Sequence, residues 1–342
     1  MRIGSLMIVA ALAVLTVLAG LTVANPRPAS AVLVPEDLSG PLTPNDLATQ
    51  LVGAGVTVSN VTYAGADVAA GRFTGGTGII GFDAGVVLSS GDIADTVGPN
   101  SSDSAGVDNL QPGDANLTAL AGAPTFDASV LEFDFVPSAS TITFDYVFAS
   151  EEYNEFVHDI YNDVFAFYVN GTNCATVGAA QPVSINTINN GNPFNTDPRE
   201  NSALYRNNDV SDGGGSIDTQ LDGLTVVLTC TATVNAGVTN HMKLAIADAS
   251  DEIYDAVVFL EAGSLQVQTP SPSPSPPPGP TLAATASPTA SPTPTAAAPA
   301  QLPGTGGPGS GTGSGWLLAI AAITLLAVIT GVLALTRRPR RM

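Results

Sequence analysis

Residues 130–156, VLEFDFVPSASTITFDYVFASEEYNEF, indicate how the chain folds. Apolar and polar side chains alternate in VLEFDFV and again in TITFDYVFA, which is the period of a β-strand with one buried face. The alternation places on that face Leu131, Phe133, Phe135, Ile142, Phe144, Tyr146 and Phe148. Glu132 and Asp134 fall on the opposite face of the first run. The stretch therefore predicts two strands, each with one apolar face.

Outward from this stretch, four more apolar runs have the length and composition of strands. They are DVFAFYVNG (163–171), LTVVLTC (224–230), MKLAIAD (242–248) and AVVFLEAGSLQVQ (256–268), and loops rich in Gly, Asn, Asp and Ser separate them. The helical candidates are short: residues 45–52, opened by an Asn cap at Asn45, and a turn near residues 117–120. Since βαβ alternation is absent, the pattern predicts an all-β fold, an antiparallel β-sandwich of jelly-roll type, formed by residues 32–268 as one domain.

The charge of the chain is concentrated in that region. The 342 residues include 30 acidic side chains, all between Glu36 and Glu261, and only 10 Lys plus Arg. Affinity for DNA or RNA comes from clustered Lys and Arg, so the sequence argues against a nucleic-acid partner and against docking on an anionic membrane surface. A cationic partner, such as a metal ion or a basic surface, is compatible with this charge.

The first 31 residues have the pattern of an export signal. Arg2 supplies a positive start, an apolar run follows to about residue 24, and Ala29-Ser30-Ala31 is an A-x-A cleavage site. Cleavage there puts the mature start at Val32. An uncleaved N-terminal membrane helix is the alternative interpretation.

The C-terminal part has five segments in a defined order. Residues 269–301, rich in Pro, Ser, Thr and Ala, predict a disordered stalk that could reach roughly 100 Å at about 3.1 Å per residue. LPGTG (302–306) and a Gly-rich spacer (307–315) follow. The apolar run 316–336 is long enough to cross a bilayer as a helix, and the positive-inside rule keeps the basic tail 337–342 in the cytoplasm. This order predicts a domain held outside the cell.

LPGTG, an apolar span and a basic tail together resemble the sorting signal that sortases process on surface proteins of Gram-positive bacteria. The motif residues are Leu302, Pro303, Gly304, Thr305 and Gly306. The resemblance implies that a sortase cleaves the Thr305–Gly306 bond and joins the Thr carboxyl group to cell-wall peptidoglycan. A plain membrane anchor that keeps its C-terminal helix is the alternative.

The two cysteines, Cys174 and Cys230, belong to a chain that the leader sends to an oxidising compartment. Each lies at the edge of a predicted strand, and a bridge between them would close a loop of about 56 residues. Two free or metal-binding thiols are the alternative, although zinc sites favour short C-x-x-C spacings. We expect one disulfide bond.

Several segments of the middle region resemble the choice-of-anchor L domain. The most specific are FDFVPSASTITFDYVFASEEYNEFV and HMKLAIADASDEIYDAVVFLEAGS, and LVGAGVTVSNVTYAG, GVVLSSGDI, YNDVFAFYVNGTNCA and PVSINTIN extend the resemblance along nearly the whole region. This is a bacterial surface domain that different proteins join to different C-terminal anchoring signals. The resemblance implies a fold and a location, and it supplies no chemical mechanism.

Two acidic loops predict a cation site. SEEYNEFVHDIYND and ADASDEIYD follow predicted strands, and crowded carboxylates repel one another unless a cation offsets their charge. If the loops meet at one end of the sandwich, a structural Ca²⁺ could be shared by Glu151, Glu152, Asp248, Asp251 and Asp255. The alternative is a set of solvated loop carboxylates in an acidic protein.

The sequence favours a non-enzymatic binding, adhesion or structural module that recognises an extracellular glycan or protein. Aromatic side chains that could stack on sugars, or simply pack in the core, are Tyr153, Phe156, Tyr161, Phe194 and Tyr205. No nucleophile motif is present, and His158 and His241 fit a loop position and a hydrogen bond at a strand end better than a catalytic base. Two alternatives stay open: a polysaccharide hydrolase that uses a pair of the acidic-loop carboxylates, and a membrane-anchored surface-coat component.

Overall fold

The computed structural model describes residues 32–268. The predicted signal peptide, stalk, sorting motif, spacer, membrane helix and basic tail lie outside the described residues. Among residues 32–268, no helix has both the length and the apolar composition needed to span a bilayer.

The described part of the chain contains sixteen strands and two short α-helices. The strands are β1 (Val34–Asp37), β2 (Val56–Ala64), β3 (Ala70–Thr74), β4 (Gly85–Ser89), β5 (Thr125–Pro137), β6 (Thr141–Ser150), β7 (Val164–Val169), β8 (Thr172–Asn173), β9 (Thr176–Val177), β10 (Gln181–Pro182), β11 (Tyr205–Asn207), β12 (Gly223–Thr225), β13 (Leu228–Thr233), β14 (Asn240–Ala249), β15 (Ala256–Glu261) and β16 (Gln266–Val267). The helices are α1 (Pro44–Leu51) and α2 (Ala115–Ala121).

Two antiparallel sheets pack as a sandwich, which confirms the predicted all-β architecture. One sheet has nine strands, with the path β1-β3-β4-β15-β6-β12-β11 and with β13 and β16 also paired to β6. The other has five strands in the order β2-β5-β14-β7-β8, and β9 and β10 form a separate pair. Strand β6 therefore lies at the centre of the larger sheet. The pairing establishes the sandwich, while the jelly-roll subtype stays a prediction.

The main core lies between the sheets and includes the alternating side chains of β5 and β6. Phe133, Phe135 and Phe144 are buried, whereas Glu132 and Asp134 on the other face of β5 are part-exposed. Aromatic rings from the two sheets are in contact there: the ring centroids of Phe144 in β6 and Phe167 in β7 are 4.3 Å apart. The period-2 pattern thus located both strands and the orientation of their side chains.

The predicted disulfide bond is confirmed. Cys174 follows β8 in the five-stranded sheet, and Cys230 lies in β13 of the nine-stranded sheet, with their Cα atoms 5.5 Å apart. The bond therefore joins the two layers covalently, and no free cysteine remains in the chain.

Three local predictions were wrong in detail. Helix α1 is capped by Thr43, not Asn45, since the Thr43 hydroxyl accepts from the Asp46 amide and Pro44 occupies the first turn. The run LTVVLTC is divided into β12 and β13, which pair with different parts of β6. The run AVVFLEAGSLQVQ likewise divides into β15 and β16 around a turn in which Gly263 has φ +68°.

Candidate functional site

The two acidic loops singled out in the sequence lie side by side at one end of the sandwich. Ser150 at the end of β6 pairs with Ala256 at the start of β15, so the residues just beyond that pair are neighbours. The Glu151 amide donates to the Asp255 carbonyl oxygen (3.0 Å), and the Ser90 amide after β4 donates to that of Ala256 (3.0 Å). We call this the acidic end, comprising residues 89–110, 151–163, 207–222 and 248–255.

Seven of the carboxylates at the acidic end are buried. The side chains with at most 4% of their surface exposed are Glu151, Glu152, Asp163, Asp209, Asp222, Asp248 and Asp255. Asp251 is part-exposed. Of the five residues predicted to share an ion, four are therefore inside the protein, and the solvated-loop interpretation fits only Asp251.

Backbone amides from a long loop hold two of these carboxylates. The amide of Val107 donates to the Asp255 carboxylate (3.1 Å to Oδ2), and that of Ala105 donates to Glu151 Oε2 (3.3 Å). Residue 106 must be glycine for this approach, because an added Cβ would lie 1.7 Å from the carbonyl oxygen of Ile253. Residues 105–107 therefore pack against the acidic end and contact Glu151 and Asp255.

Several carboxylate oxygens at this end have no hydrogen-bond partner. They are Glu151 Oε1, Glu152 Oε2, Glu155 Oε2, Asp222 Oδ2 and both side-chain oxygens of Asp248. The Ser90 hydroxyl lies close enough to Asp248 to favour its ionised form. The hydrogen bonds of this hydroxyl are nevertheless made with Ala256, whose amide donates to the Ser90 Oγ atom (2.9 Å). A buried oxygen without a donor costs free energy of about 1–3 kcal/mol, more if it is charged. The arrangement is costly unless protons or cations reach these atoms.

No basic side chain of residues 32–268 forms an ion pair with a carboxylate of the acidic end. The ion pairs of that region are formed by Arg72 with Glu36, by Lys243 with Asp114 and Glu132, and by His241 with Glu132 and Asp134. All five carboxylate contacts lie outside the acidic end. The negative charge there has no basic counterpart within 4 Å among the described residues.

Burial accordingly raises the pKa of these carboxyl groups. Burial, followed by the nearby charges of Asp222 and Asp255, raises the pKa of Glu151 to about 10. Burial raises the pKa of Asp255 to about 8, although the Val107 amide acts in the opposite direction. With burial again the main cause, the pKa rises to about 10 at Glu152, about 8 at Asp222 and about 7 at Asp163. In the absence of a cation, Glu151 and Glu152 therefore retain their protons at neutral pH.

Four of the five predicted ligands line two separate pockets. Glu151 and Asp255 line a small one, the Glu151–Asp255 pocket, of about 10 Å³. Its other polar lining residues are Ser89, Asp92, Asp95 and Thr96. Glu152 and Asp251 line a wider one, the Glu152–Asp251 pocket, of about 140 Å³. Asp248 lines neither pocket.

Aromatic rings complete the wider pocket. Phe156 and Tyr161 meet edge to face with centroids 5.3 Å apart, and Tyr254 lies 5.5 Å from Phe156 on the same lining. Tyr153, in contrast, is fully buried and donates to the Ile188 carbonyl oxygen (2.7 Å). Of the predicted sugar-stacking aromatics, Phe156 and Tyr161 therefore line a pocket.

The remaining aromatics and histidines lie apart from the two pockets. Tyr205 packs against Tyr153 with centroids 4.8 Å apart, and the exposed Phe194 lines neither pocket. His241 lies inside β14 and bonds to Asp134 (3.0 Å), and His158 is an exposed loop residue whose ring bonds to Pro198. His158 thus lies in a loop as expected, and His241 makes a hydrogen bond as expected but from within β14, not before it.

The carboxylates do not form a closed metal site. Within the described part of the chain, no group of three or more His, Cys, Asp or Glu side chains is arranged so that it could hold a metal ion. The five predicted ligands stay a prediction: Glu151 and Asp255 line one pocket, Glu152 and Asp251 line the other, and Asp248 lines neither.

Sequence reasoning missed three of the carboxylates at this end. Asp222 stands alone between Leu221 and Gly223, a pattern that predicts no site, and it reaches the acidic end only through the long loop before β12. Asp92 and Asp95 occupy the turn after β4, and their nearness to Glu151 depends on the strand order. The run GDIADT directly after an apolar strand is the signal that could have found the last two.

Comparison with known proteins gives a family. Among protein-family models, that of the choice-of-anchor L domain matches residues 38–266. No curated protein and no solved structure matches the chain. The match covers β2 to β15 and all carboxylates of the acidic end.

Proposed function

Because the chain belongs to the choice-of-anchor L domain family, we propose that it is a non-enzymatic binding or structural module displayed on the outside of a bacterial cell. The family match carries the proposal, since such domains accompany anchoring signals. The disulfide bond supports it, because such bonds persist in oxidising compartments. The sandwich is the displayed part, and the segments on either side of residues 32–268 direct its export and attachment.

We propose that a sortase attaches the protein to peptidoglycan through Thr305. The support is the order of LPGTG, apolar run and basic tail in the sequence. Cutting the Thr305–Gly306 bond transfers the Thr acyl group to a sortase cysteine and then to a wall amine, so the product lacks residues 306–342. The alternative is a retained membrane helix at residues 316–336.

Cell fractionation tests the mode of attachment. Wild-type protein should need wall-degrading enzymes for release, whereas Thr305→Ala should be extracted by detergent at full length. Ser310→Ala, in the spacer, is the matched control and should behave as wild type. Wild type that detergent alone releases with its basic tail attached would favour the plain membrane anchor.

We propose that the Glu152–Asp251 pocket binds an extracellular glycan. Its aromatic lining offers apolar faces to a sugar ring, and its carboxylates can accept hydrogen bonds from hydroxyl groups. The Glu151–Asp255 pocket has no room for a sugar at about 10 Å³. A protein ligand at the same surface is the other outcome of the test.

A glycan array and a pull-down on intact cells test the ligand. Tyr161→Ala should lower glycan binding about tenfold or more, because burying an apolar side chain of this size contributes about 1.5–3 kcal/mol. Phe194→Ala removes an exposed ring outside the pocket and should bind as wild type. Equal binding by both variants would contradict this assignment.

One observation favours a polysaccharide hydrolase as the second candidate. Burial raises the pKa of Glu152 to about 10, so this side chain is a carboxylic acid at neutral pH, and Asp251 lines the same pocket. Glycosidases use two such carboxyl groups. The same array samples, analysed for reducing ends, separate the two functions. Binding without product supports the binding module, whereas product that Glu152→Gln abolishes supports the hydrolase. Ordered two-dimensional assemblies in electron micrographs, without a ligand, would favour a surface-coat component.

A further inference from the structure

We propose that the Glu151–Asp255 pocket binds one divalent cation of the Ca²⁺ class. The pocket lies between the turn after β4, the end of β6 and the start of β15, three strands that are neighbours in the nine-stranded sheet. The proposal concerns this pocket alone and does not depend on the glycan ligand or on the mode of anchoring.

The first argument is the state of Glu151. Its side chain is 1% exposed, the amide of Ala105 donates to Oε2, the Gln220 side chain also favours the ionised form, and Oε1 has no partner. An isolated buried carboxylate is strongly unfavourable, so buried charges are paired or bind metals. Since no Lys, Arg or His forms an ion pair with Glu151 in residues 32–268, a cation is the partner that would satisfy Oε1.

The second argument is the composition of the pocket. Four carboxylates and the hydroxyl groups of Ser89 and Thr96 line it, and neither histidine nor cysteine does. Hard cations take oxygen ligands, whereas nitrogen and sulfur ligands suit zinc and copper. The space of about 10 Å³ holds about one water-sized particle. The chemistry and the size both correspond to a single hard cation.

The third argument is how Asp255 is oriented. Its carboxylate is fixed by the Val107 amide and packs directly against the backbone of Gly91, where an added Cβ would lie 1.6 Å from Oδ2. The glycine keeps this carboxylate at the pocket wall next to Glu151. Asp92, one residue further, caps the following turn through the Ala94 amide (2.8 Å) and leaves its second oxygen for a ligand role.

The type of cation follows from the irregular lining. The pocket carboxylates do not converge on one point, so binding must draw Glu151 Oε1 towards Asp92 and Asp95, with hydroxyl and water oxygens completing the set. Ca²⁺ accepts six to eight oxygens in flexible geometry, while Mg²⁺ requires a near-ideal octahedron and retains its waters. We therefore expect Ca²⁺ to bind in preference to Mg²⁺.

Calorimetric melting of the full-length chain in detergent solution tests the proposal. The metal-free protein is compared at neutral pH with protein in about 10 mM CaCl₂ or MgCl₂, above the dissociation constants of about 10⁻⁴–10⁻³ M typical of extracellular calcium modules. Calcium should raise the Tm of the folded domain by about 3–10 °C, and magnesium should raise it less. No rise with calcium overturns the proposal.

Two variants and one control locate the site. Glu151→Gln removes the charge without changing the shape, so it should lose the calcium-dependent rise yet melt at or above the wild-type Tm in chelator. Asp92→Asn keeps the cap on the Ala94 amide and should weaken calcium binding about tenfold, since ligand charge sets affinity. Glu252→Gln changes a part-exposed carboxylate in the loop before β15 and should keep the full rise. A full calcium-dependent rise in either pocket variant overturns the assignment, and Asp92→Asn decides if Glu151→Gln fails to fold.

Discussion

At Asp248, two carboxylate oxygens are buried without a donor. The side chain is 1% exposed, and the acidic groups that face it are Asp163, Asp255 and Asp127. Burial, and then the charge of Asp163, raises the pKa of Asp248 well above its ordinary value. The neighbouring Asp163 differs because Ser150 and the Ala249 amide donate to it. Asp248 therefore keeps its proton in the folded protein, while in the unfolded chain it loses that proton above about pH 4.

The first prediction is that Asp248→Asn stabilises the protein increasingly as the pH rises. At a pH between the pKa of Asp248 in the unfolded chain and its higher pKa in the folded protein, folding takes up a proton at this residue. The free energy of unfolding of wild type is therefore unaffected by Asp248 below about pH 4. Above that pH it falls by up to about 1.4 kcal/mol per pH unit. The amide has no such proton to bind. Urea unfolding in chelator should show little difference at about pH 4 and a clear gain for the variant at about pH 8.

The exposed Asp67 provides the control for this prediction. Asp67→Asn should change stability equally little at both pH values, because its carboxylate is solvated in both states. If Asp248→Asn increased the free energy of unfolding equally at acidic and alkaline pH, the prediction would be contradicted. The increase would then come from packing and not from proton uptake at Asp248.

The positions of some site residues could be predicted from the sequence, and those of others could not. Glu151 and Asp255 were predicted as partners, and the structure brings their segments together, because acidic runs next to predicted strands are visible in the sequence. That Glu152 lines a different pocket could not be predicted, since consecutive residues after a strand point in directions set by the turn. Asp222 was missed because its position depends on the fold of a long loop.

Among the elements, strand existence was predictable and strand division was not. VLEFDFV and TITFDYVFA became β5 and β6 as alternation predicts, and β6 is buried on both faces towards its end because Val147 and Ala149 join a second core with Phe259. The break between β12 and β13 has no sequence signal. It arises because two separate strands pair along one edge of β6.

The disulfide bond between β13 and the end of β8 gives the second prediction. Replacing Cys174 and Cys230 together by Ala should lower the free energy of unfolding by about 4 kcal/mol, because the bond closes a loop of 56 residues in the unfolded chain. Guanidinium unfolding of both proteins measures the loss. Reductant should destabilise wild type by a similar amount and leave the double variant unchanged. A loss well under 1 kcal/mol would show that the layers hold together without the bond.

Across the whole molecule, the dominant property is negative charge. Thirty acidic side chains lie between Glu36 and Glu261, and most basic side chains lie towards the chain ends. Like charges at this density repel one another and disfavour the compact state. Salt screens exposed charges, with a Debye length of about 10 Å at 0.1 M, but reaches buried carboxylates much less.

The third prediction is that monovalent salt stabilises the protein. Raising NaCl from about 10 mM to about 0.5 M should increase the Tm by a few degrees and then level off, as screening becomes complete. Chloride is used since sulfate would strengthen apolar burial by exclusion. Calcium at matched ionic strength should add a further increase. A constant or falling Tm in NaCl would show that surface repulsion contributes little.

The exit of the chain from the sandwich has a mechanical consequence for a domain tethered at its C-terminal end. Pulling force enters at Gln268, whose amide donates to the Thr141 carbonyl oxygen (2.9 Å), and at β16, which is paired with β6. From β6 the force passes to its neighbour β13 and through the Cys230–Cys174 bond into the other sheet. If the domain is held by its C-terminal end, a pulling force therefore loads both layers, and the disulfide bond limits how far they can separate at that point.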